Sequence, residues 1–124
     1  MSLKSSSSQG ASPRICPRYV FEERIQIRLR RENHEVVVGG WTRDISESGI
    51  GAFVAEELVQ GEQVEIEVPF GKHSKAIFQA RVSRTLGTQY GLVFTTMSPE
   101  QRGQIQMAVA GKAPLPSPPS VKLR

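Results

Sequence analysis

The sequence is poor in the residues that build disulfides, metal sites and membrane spans. Its single cysteine, Cys16, excludes an intramolecular disulfide and suits a reducing compartment. Its two histidines, His34 and His73, lack cysteines or clustered carboxylates at ligand spacing, so we expect no metal site. No run approaches the roughly 18 apolar residues that span a bilayer, and the N-terminus lacks a signal-type apolar segment. We therefore expect a soluble cytoplasmic protein with no membrane span.

Catalytic motifs are also missing from the sequence. No serine stands in a nucleophile-elbow context, and no glycine-rich phosphate loop opens a helix. Cys16 lies near two arginines, but the sequence offers it no base or resolving thiol, so a free thiol is the simpler interpretation. We expect neither an enzyme nor a resident cofactor.

The chain is rich in arginine. Eleven of its 16 basic residues are arginines, against 12 acidic residues, and the formal net charge is +4. This mild excess permits an anionic ligand, but proteins that bind duplex DNA usually concentrate more positive charge on one face, so we expect no DNA partner. A guanidinium can form two parallel hydrogen bonds to a phosphate or to the edge of guanine, which an ammonium cannot. At 124 residues the chain has room for one domain with a modest core.

The two ends of the chain differ in composition from its middle. Residues 1–13 are rich in serine and cannot bury apolar surface, so we expect a flexible N-terminal segment. Residues 112–124 are rich in proline, which has no backbone donor for helix or sheet, so we expect a second flexible tail. Residues 14–111 remain as the folded domain.

The middle of the chain is dominated by strand patterns. Ile25, Ile27 and Leu29 alternate with charged or polar residues, which is typical of a half-buried strand. Similar patterns predict further strands, with a break at Gly39-Gly40. The predicted strands cover residues 24–30, 34–38, 41–46, 50–54, 62–68, 75–86 and 88–95. Short strands at regular spacing indicate a sandwich or a small barrel.

The sequence predicts one helix, near the C-terminus. Ser98 is a suitable N-cap, Pro99 fits the first helical position, and Gln101 completes a capping box. Apolar residues recur at helical spacing from Ile105, and Gly111 is the expected stop. The predicted fold is therefore all-β with one short C-terminal helix.

Two arginines, Arg14 and Arg18, precede the first predicted strand. An arginine can meet the adjacent O6 and N7 acceptors of guanine in bidentate fashion and can stack on its face. Two arginines four residues apart could therefore wrap a cyclic dinucleotide. The alternative is chance, because eleven arginines make this spacing common and Arg24 and Arg28 share it. That second pair lies on the solvent face of a strand, where the simpler interpretation is that both side chains are solvated at a sheet edge.

A second cluster, Asp44-x-Ser46-x-x-Gly49, follows a predicted strand. Asp44 can accept hydrogen bonds from the N1 and N2 donors of guanine, and Ser46 can donate to a phosphate or a base. Gly49 can take a positive φ where the chain reverses. The alternative is that aspartate and serine only stabilise a turn by bonding to its backbone. Because Ile45 is apolar, we expect Asp44 and Ser46 on the same face of the extended segment.

In their order along residues 14–110, these motifs resemble the PilZ domain family. Arg-x3-Arg comes first, Asp-x-Ser-x-x-Gly follows, and a Gly-x-x-Phe strand and a terminal helix complete the pattern. The resemblance implies a six-stranded antiparallel PilZ-type β-barrel that binds the bacterial second messenger cyclic di-GMP without acting on it chemically. It assigns ligand contacts to five residues: Arg14, Arg18, Asp44, Ser46 and Gly49.

The resemblance also implies a mode of action and leaves alternatives open. The ligand would order the N-terminal arginine segment and so alter contacts with a protein partner, in motility, exopolysaccharide or virulence machinery. A single arginine follows Pro13 where many relatives carry a basic doublet, which leaves the number of bound ligands open. One alternative is a PilZ-like interaction module without nucleotide, which would lack the arginines or the Asp-x-Ser turn. The other is a barrel for single-stranded nucleic acid, which would expose aromatics on a basic face, whereas most aromatics here fall on core positions.

Overall fold

The fold is a closed antiparallel barrel, seen in a computed structural model that describes residues 16–116. Six long strands form the barrel, a two-residue strand is added at its edge, and one helix follows. The elements are β1 (Tyr19–Val20), β2 (Arg24–Arg31), β3 (His34–Ile45), β4 (Gly49–Val54), β5 (Gln63–Pro69), β6 (Lys75–Leu86), β7 (Gln89–Phe94) and α1 (Pro99–Ala108). The ring runs β3–β2–β5–β6–β7–β4 and closes by pairing of β4 with β3. The six-stranded barrel with one short helix that the sequence predicted is confirmed.

Period-two alternation fills the barrel with aliphatic side chains. Along β6, for example, Ala76, Phe78, Ala80 and Val82 are buried while the residues between them are exposed or half-exposed. Phe78 is fully buried, stacks on Phe94 at 4.6 Å between ring centroids, and contacts Phe70 edge-on. Burial of this apolar surface is the main stabilising contribution, at about 25 cal/mol per Å².

The predicted break at Gly39-Gly40 is wrong, because β3 runs through both glycines for 12 residues. A Cβ on Gly40 would lie 3.2 Å from a side-chain carbon of Ile25 and 3.2 Å from the Phe53 carbonyl oxygen. Gly40 therefore permits close approach of β2 and β4 to β3 rather than a turn. A Cβ on Gly39 would meet nothing within 4 Å, so this glycine leaves the outer surface of the sheet open.

Helix α1 begins as the sequence predicts. The Ser98 side chain accepts from the Gln101 N–H, and the Gln101 side chain accepts from the Ser98 N–H, so the capping box is complete. Ile105 is the buried residue of the helix. Gly111 has φ of 81° in the turn that follows, a conformation that favours glycine. No helix in the described part of the chain is long and apolar enough to cross a membrane.

The chain after α1 returns to the start of the barrel. The Leu115 N–H donates to the Arg18 carbonyl oxygen at 2.7 Å. The Lys112 ammonium donates to the Val20 carbonyl oxygen at 3.0 Å and lies 5.9 Å from the centre of the Phe21 ring. Residues 112–116 thus lie against the segment that carries Arg18, although the sequence assigned them to a tail.

Candidate functional site

A β-bulge in β3 places Asp44 on the outer surface of the barrel. Thr42 pairs with Ala52 and Asp44 pairs with Gly51, so Arg43 is an extra residue on β3. Ile45, next to Asp44, is fully buried in the core, and Asp44 consequently points away from it. Its side chain is nevertheless only 6% exposed, because neighbouring segments cover it.

The floor beside Asp44 is built from two glycines in register. Gly51 of β4 pairs with Asp44 on one side and with Gly91 of β7 on the other. A Cβ on Gly51 would lie 2.9 Å from Oδ1 of Asp44, closer than real Cβ contacts. Arg84 of β6 pairs with Gly91, after a second bulge between Val82 and Arg84. The row Asp44–Gly51–Gly91–Arg84 therefore forms a shallow trough, with the Asp44 carboxylate over Gly51 at one end and the Arg84 side chain over Gly91 at the other.

Arg18 covers the carboxylate from the chain segment before β1. Its Nε and Nη2 donate to Oδ1 of Asp44 at 3.3 and 3.1 Å, while its side chain remains 47% exposed. Nη2 of Arg43 lies 3.7 Å from the other carboxylate oxygen, Oδ2. The structure thus brings together Arg18 and Asp44, which are 26 residues apart in the chain.

The resulting pocket has a volume of about 360 Å³. Residues of the chain start, of four strands and of the C-terminal segment line it: Arg18, Arg43, Asp44, Gly51, Arg84, Leu86, Gln89, Tyr90, Gly91, Leu115 and Pro116. Three of these residues are arginines and one is a carboxylate, so the pocket carries an excess of positive charge. That balance suits an anionic ligand with hydrogen-bond donors for the carboxylate.

Ser46 lies next to this pocket rather than in it. Its side chain is buried, accepts from the Ser48 N–H at 3.0 Å and shares a 2.8 Å hydrogen bond with the Ser48 hydroxyl. Its backbone N–H donates to the Gly49 carbonyl at 2.9 Å. These bonds are those of a turn, and Ser46 lines a neighbouring cavity of about 310 Å³ between β1 and α1.

Gly49 is needed for a different reason from the one expected. The glycines with positive φ in the described chain are at positions 61, 71, 87 and 111, so the expectation of a positive φ at Gly49 is wrong. A Cβ on Gly49 would lie 2.2 Å from the Leu92 carbonyl oxygen. Glycine is therefore required by the close approach of β7. Arg14, the fifth residue assigned to the site, lies outside the described residues.

Sequence reasoning missed Gly51, Gly91, Arg43 and Arg84. Their place in the pocket depends on cross-strand register and on the two bulges, which no local pattern reveals. The only available signal was the presence of Gly51 and Gly91 inside strand patterns, because a glycine in a strand often marks a close approach of a ligand or another backbone.

Known families and structures resemble the chain over most of its length. The family model described as PilZ domain matches residues 11–111. The crystal structure of the PilZ domain of CeSA from a cellulose-synthesizing bacterium is 19% identical, with TM-score 0.56, covering 73% of this chain and 93% of that one. The PilZ domain with c-di-GMP of YcgR from Escherichia coli is 20% identical, with TM-score 0.60, covering 77% and 87%. No curated protein matches the chain.

Proposed function

The chain belongs to the PilZ domain family, and from this membership and its pocket we propose that it is a receptor for cyclic di-GMP. The observation that carries the proposal is the contact of Arg18 with Asp44 above a glycine-floored trough. We propose further that the protein acts without chemistry on the ligand and works in the cytoplasm, where its lone cysteine stays reduced.

The two site residues match the two edges of guanine. Asp44 would accept from the N1 and N2 donors, and an arginine would donate to O6 and N7. Arg18 donates only to Oδ1 of Asp44, and Arg43 approaches Oδ2 no closer than 3.7 Å, so Oδ2 can still accept from a guanine donor. A base in the trough would contact the Asp44 carboxylate, which lies over Gly51, and the Arg84 side chain, which lies over Gly91.

The phosphates of the ligand would meet arginines around the same pocket. Arg14, four residues before Arg18, keeps the role that the family motif gives it. Arg84 stands at the far end of the trough and is a further candidate. Ser46 and Gly49 would act by holding the turn that presents Asp44, with Ser46 free to donate to the ligand if its bond to Ser48 is exchanged.

The proposed output is a change in contacts around the arginine segment. The Arg18 carbonyl accepts from Leu115, so a ligand that repositions Arg18 also acts on residues 112–116. We propose that ligand contacts order residues 14–18 and thereby alter what a protein partner meets, at a cost in backbone entropy that binding must offset. Amide exchange should slow at residues 14–18 and 44–49 together on addition of ligand. Protection at the turn alone would contradict this mechanism without touching the binding proposal.

Titration calorimetry with cyclic di-GMP and cyclic di-AMP tests the binding proposal. We expect binding of cyclic di-GMP and rejection of cyclic di-AMP, because adenine cannot satisfy a carboxylate and an arginine placed for guanine. Arg18→Ala should weaken binding, and Arg24→Ala, from the pair with matched spacing, should not. Equal affinity for the two dinucleotides, or none for either, would contradict the proposal.

A further inference from the structure

An exposed apolar row crosses the barrel and reaches the pocket that Asp44 lines. Cross-strand pairs join Arg24 to Trp41, Trp41 to Phe53, Phe53 to Gln89 and Gln89 to Leu86, so these five residues share the outer surface. Trp41 is 45% exposed, Phe53 39% and Leu86 74%. We refer to Trp41, Phe53 and Leu86 as the apolar stripe. Large apolar side chains brought into one row are unlike scattered surface residues and mark interaction sites.

A groove runs beside Trp41 and could accept a side chain from a partner. It has a volume of about 590 Å³, and Gly39, Gly40, Trp41, Phe53 and Pro69 contribute to its lining. Gly39 leaves its outer surface open because no atom lies within 4 Å of the position of a Cβ. An apolar side chain from a partner would be covered there by the Trp41 and Phe53 rings.

The rim of the stripe is positively charged. Arg24 stands at one end, and the Arg43 guanidinium lies 5.8 Å from the centre of the Phe53 ring. Among the described residues, neither Arg24 nor Arg84 forms an ion pair. The carboxylate that lines the groove, Glu67, is already bound by Arg28 at 2.7 Å and Lys75 at 3.1 Å.

We propose that the apolar stripe is a docking surface for an acidic protein segment that inserts an apolar side chain beside Trp41. Apolar burial would supply affinity, and the rim arginines would select carboxylates on the partner. Single-stranded nucleic acid is the competing occupant, since bases stack on aromatics. Leu86 offers no stacking surface, and the groove is lined mainly by apolar groups, so the surface fits a peptide better. This proposal does not depend on cyclic di-GMP.

The fluorescence of Trp41, the only tryptophan of the chain, reports directly on the stripe. The probe is a blocked peptide with a Leu-Leu-Phe core between two pairs of glutamates. Its counterparts carry lysines in place of the glutamates or serines in place of the core, and oligo-dT represents nucleic acid. We expect the acidic peptide alone to shift the Trp41 emission saturably and to move the backbone amide resonances of β3 and β4.

Two variants and a matched control complete the test. Phe53→Ser and Arg24→Gln should each raise the dissociation constant about fivefold, the effect of losing about 1 kcal/mol at an interface. Val59→Ser, at an exposed apolar residue outside the stripe, should leave it unchanged. Thermal melts establish that each variant is folded. No response to the acidic peptide, an equal response to the lysine peptide, or a stripe-dependent response to oligo-dT would overturn the proposal.

Discussion

Two groups of arginines on this barrel differ in how their charge is balanced. Around β2, Arg28 and Arg31, together with Lys75, meet five carboxylates: those of Glu35, Glu56, Glu62, Glu65 and Glu67. In the pocket, the single carboxylate of Asp44 meets Arg18 and Arg43, and the third arginine, Arg84, forms no ion pair with any described residue. Arginines surrounded by acids have their donors occupied by the fold, whereas those of the pocket retain donors for a ligand. Spacing along the chain does not distinguish Arg18 from Arg28, but their partners do.

The largest expected effect comes from removing the lone carboxylate. Asp44→Ala deletes the acceptor for two guanine donors and the partner of Arg18, so we expect affinity for cyclic di-GMP to fall about a hundredfold, since a charged hydrogen bond contributes about 1.5–3 kcal/mol. Glu67→Ala is the comparison on the other face and should leave affinity unchanged. Calorimetry of both variants checks this. If Glu67→Ala weakened binding as much, the two groups of arginines would not differ in function.

Removing Arg18 should mainly reduce ligand affinity, whereas removing Arg28 should mainly reduce thermal stability. Arg18→Ala should weaken binding about tenfold or more through the loss of a charged hydrogen bond. It should change the melting temperature less than Arg28→Ala does, because Arg18 has one carboxylate partner and Asp44 keeps Arg43 at 3.7 Å. Arg28→Ala should lower the melting temperature, because it leaves Glu65 and Glu67 without their shared partner, and should not alter affinity. Melting curves and titrations of both variants test the comparison, and a variant that changed both properties would weaken it.

A smaller effect is expected from filling the trough without altering any charge. Gly51→Ala places a Cβ 2.9 Å from Oδ1 of Asp44, so the carboxylate must move, and we expect affinity to fall about tenfold, or about 1.4 kcal/mol. Gly39→Ala adds the same methyl group to the outer surface of β3, where nothing lies within 4 Å, and should leave binding unchanged. Unaltered affinity in Gly51→Ala would show that the ligand does not use the trough.

The sequence predicted the barrel better than it predicted the pocket. Alternation along β2, β5 and β6 depends only on neighbours in the chain, so it was visible before the structure. Asp44 and Arg18 were found because they belong to a motif. Gly51, Gly91 and Arg84 were not, since bulges and cross-strand register bring them together. The break expected at Gly39-Gly40 failed because a glycine pattern does not distinguish a turn from a close approach of strands.

The smallest expected effect is a loss of folding stability at low pH. It arises only from the arginines that are paired with several carboxylates, Arg28 and Arg31. Hydrogen bonds from Arg28 and Lys75 lower the pKa of Glu67, and a hydrogen bond from Arg31 lowers the pKa of Glu62, both from 4.5. A carboxyl whose pKa is lower in the folded protein contributes stability above about pH 4.5 and loses that contribution as the pH falls through its folded pKa.

Chemical denaturation should therefore show a constant contribution from these two pairs between pH 5 and 7, and a loss of stability below about pH 4.5. The loss should be small because both pairs lie near the surface, where solvent screens them. Glu62→Gln should reduce the acid-dependent loss, because its amide has no proton to gain and Arg31 no longer holds a carboxylate there. Glu47→Gln is the control, since Glu47 pairs with Arg102 at an exposed site, and it should keep the full acid dependence. An identical pH profile for wild type and Glu62→Gln would show that the Arg31–Glu62 pair does not stabilise the barrel. The contrast between these structural arginines and those of the pocket would then be wrong.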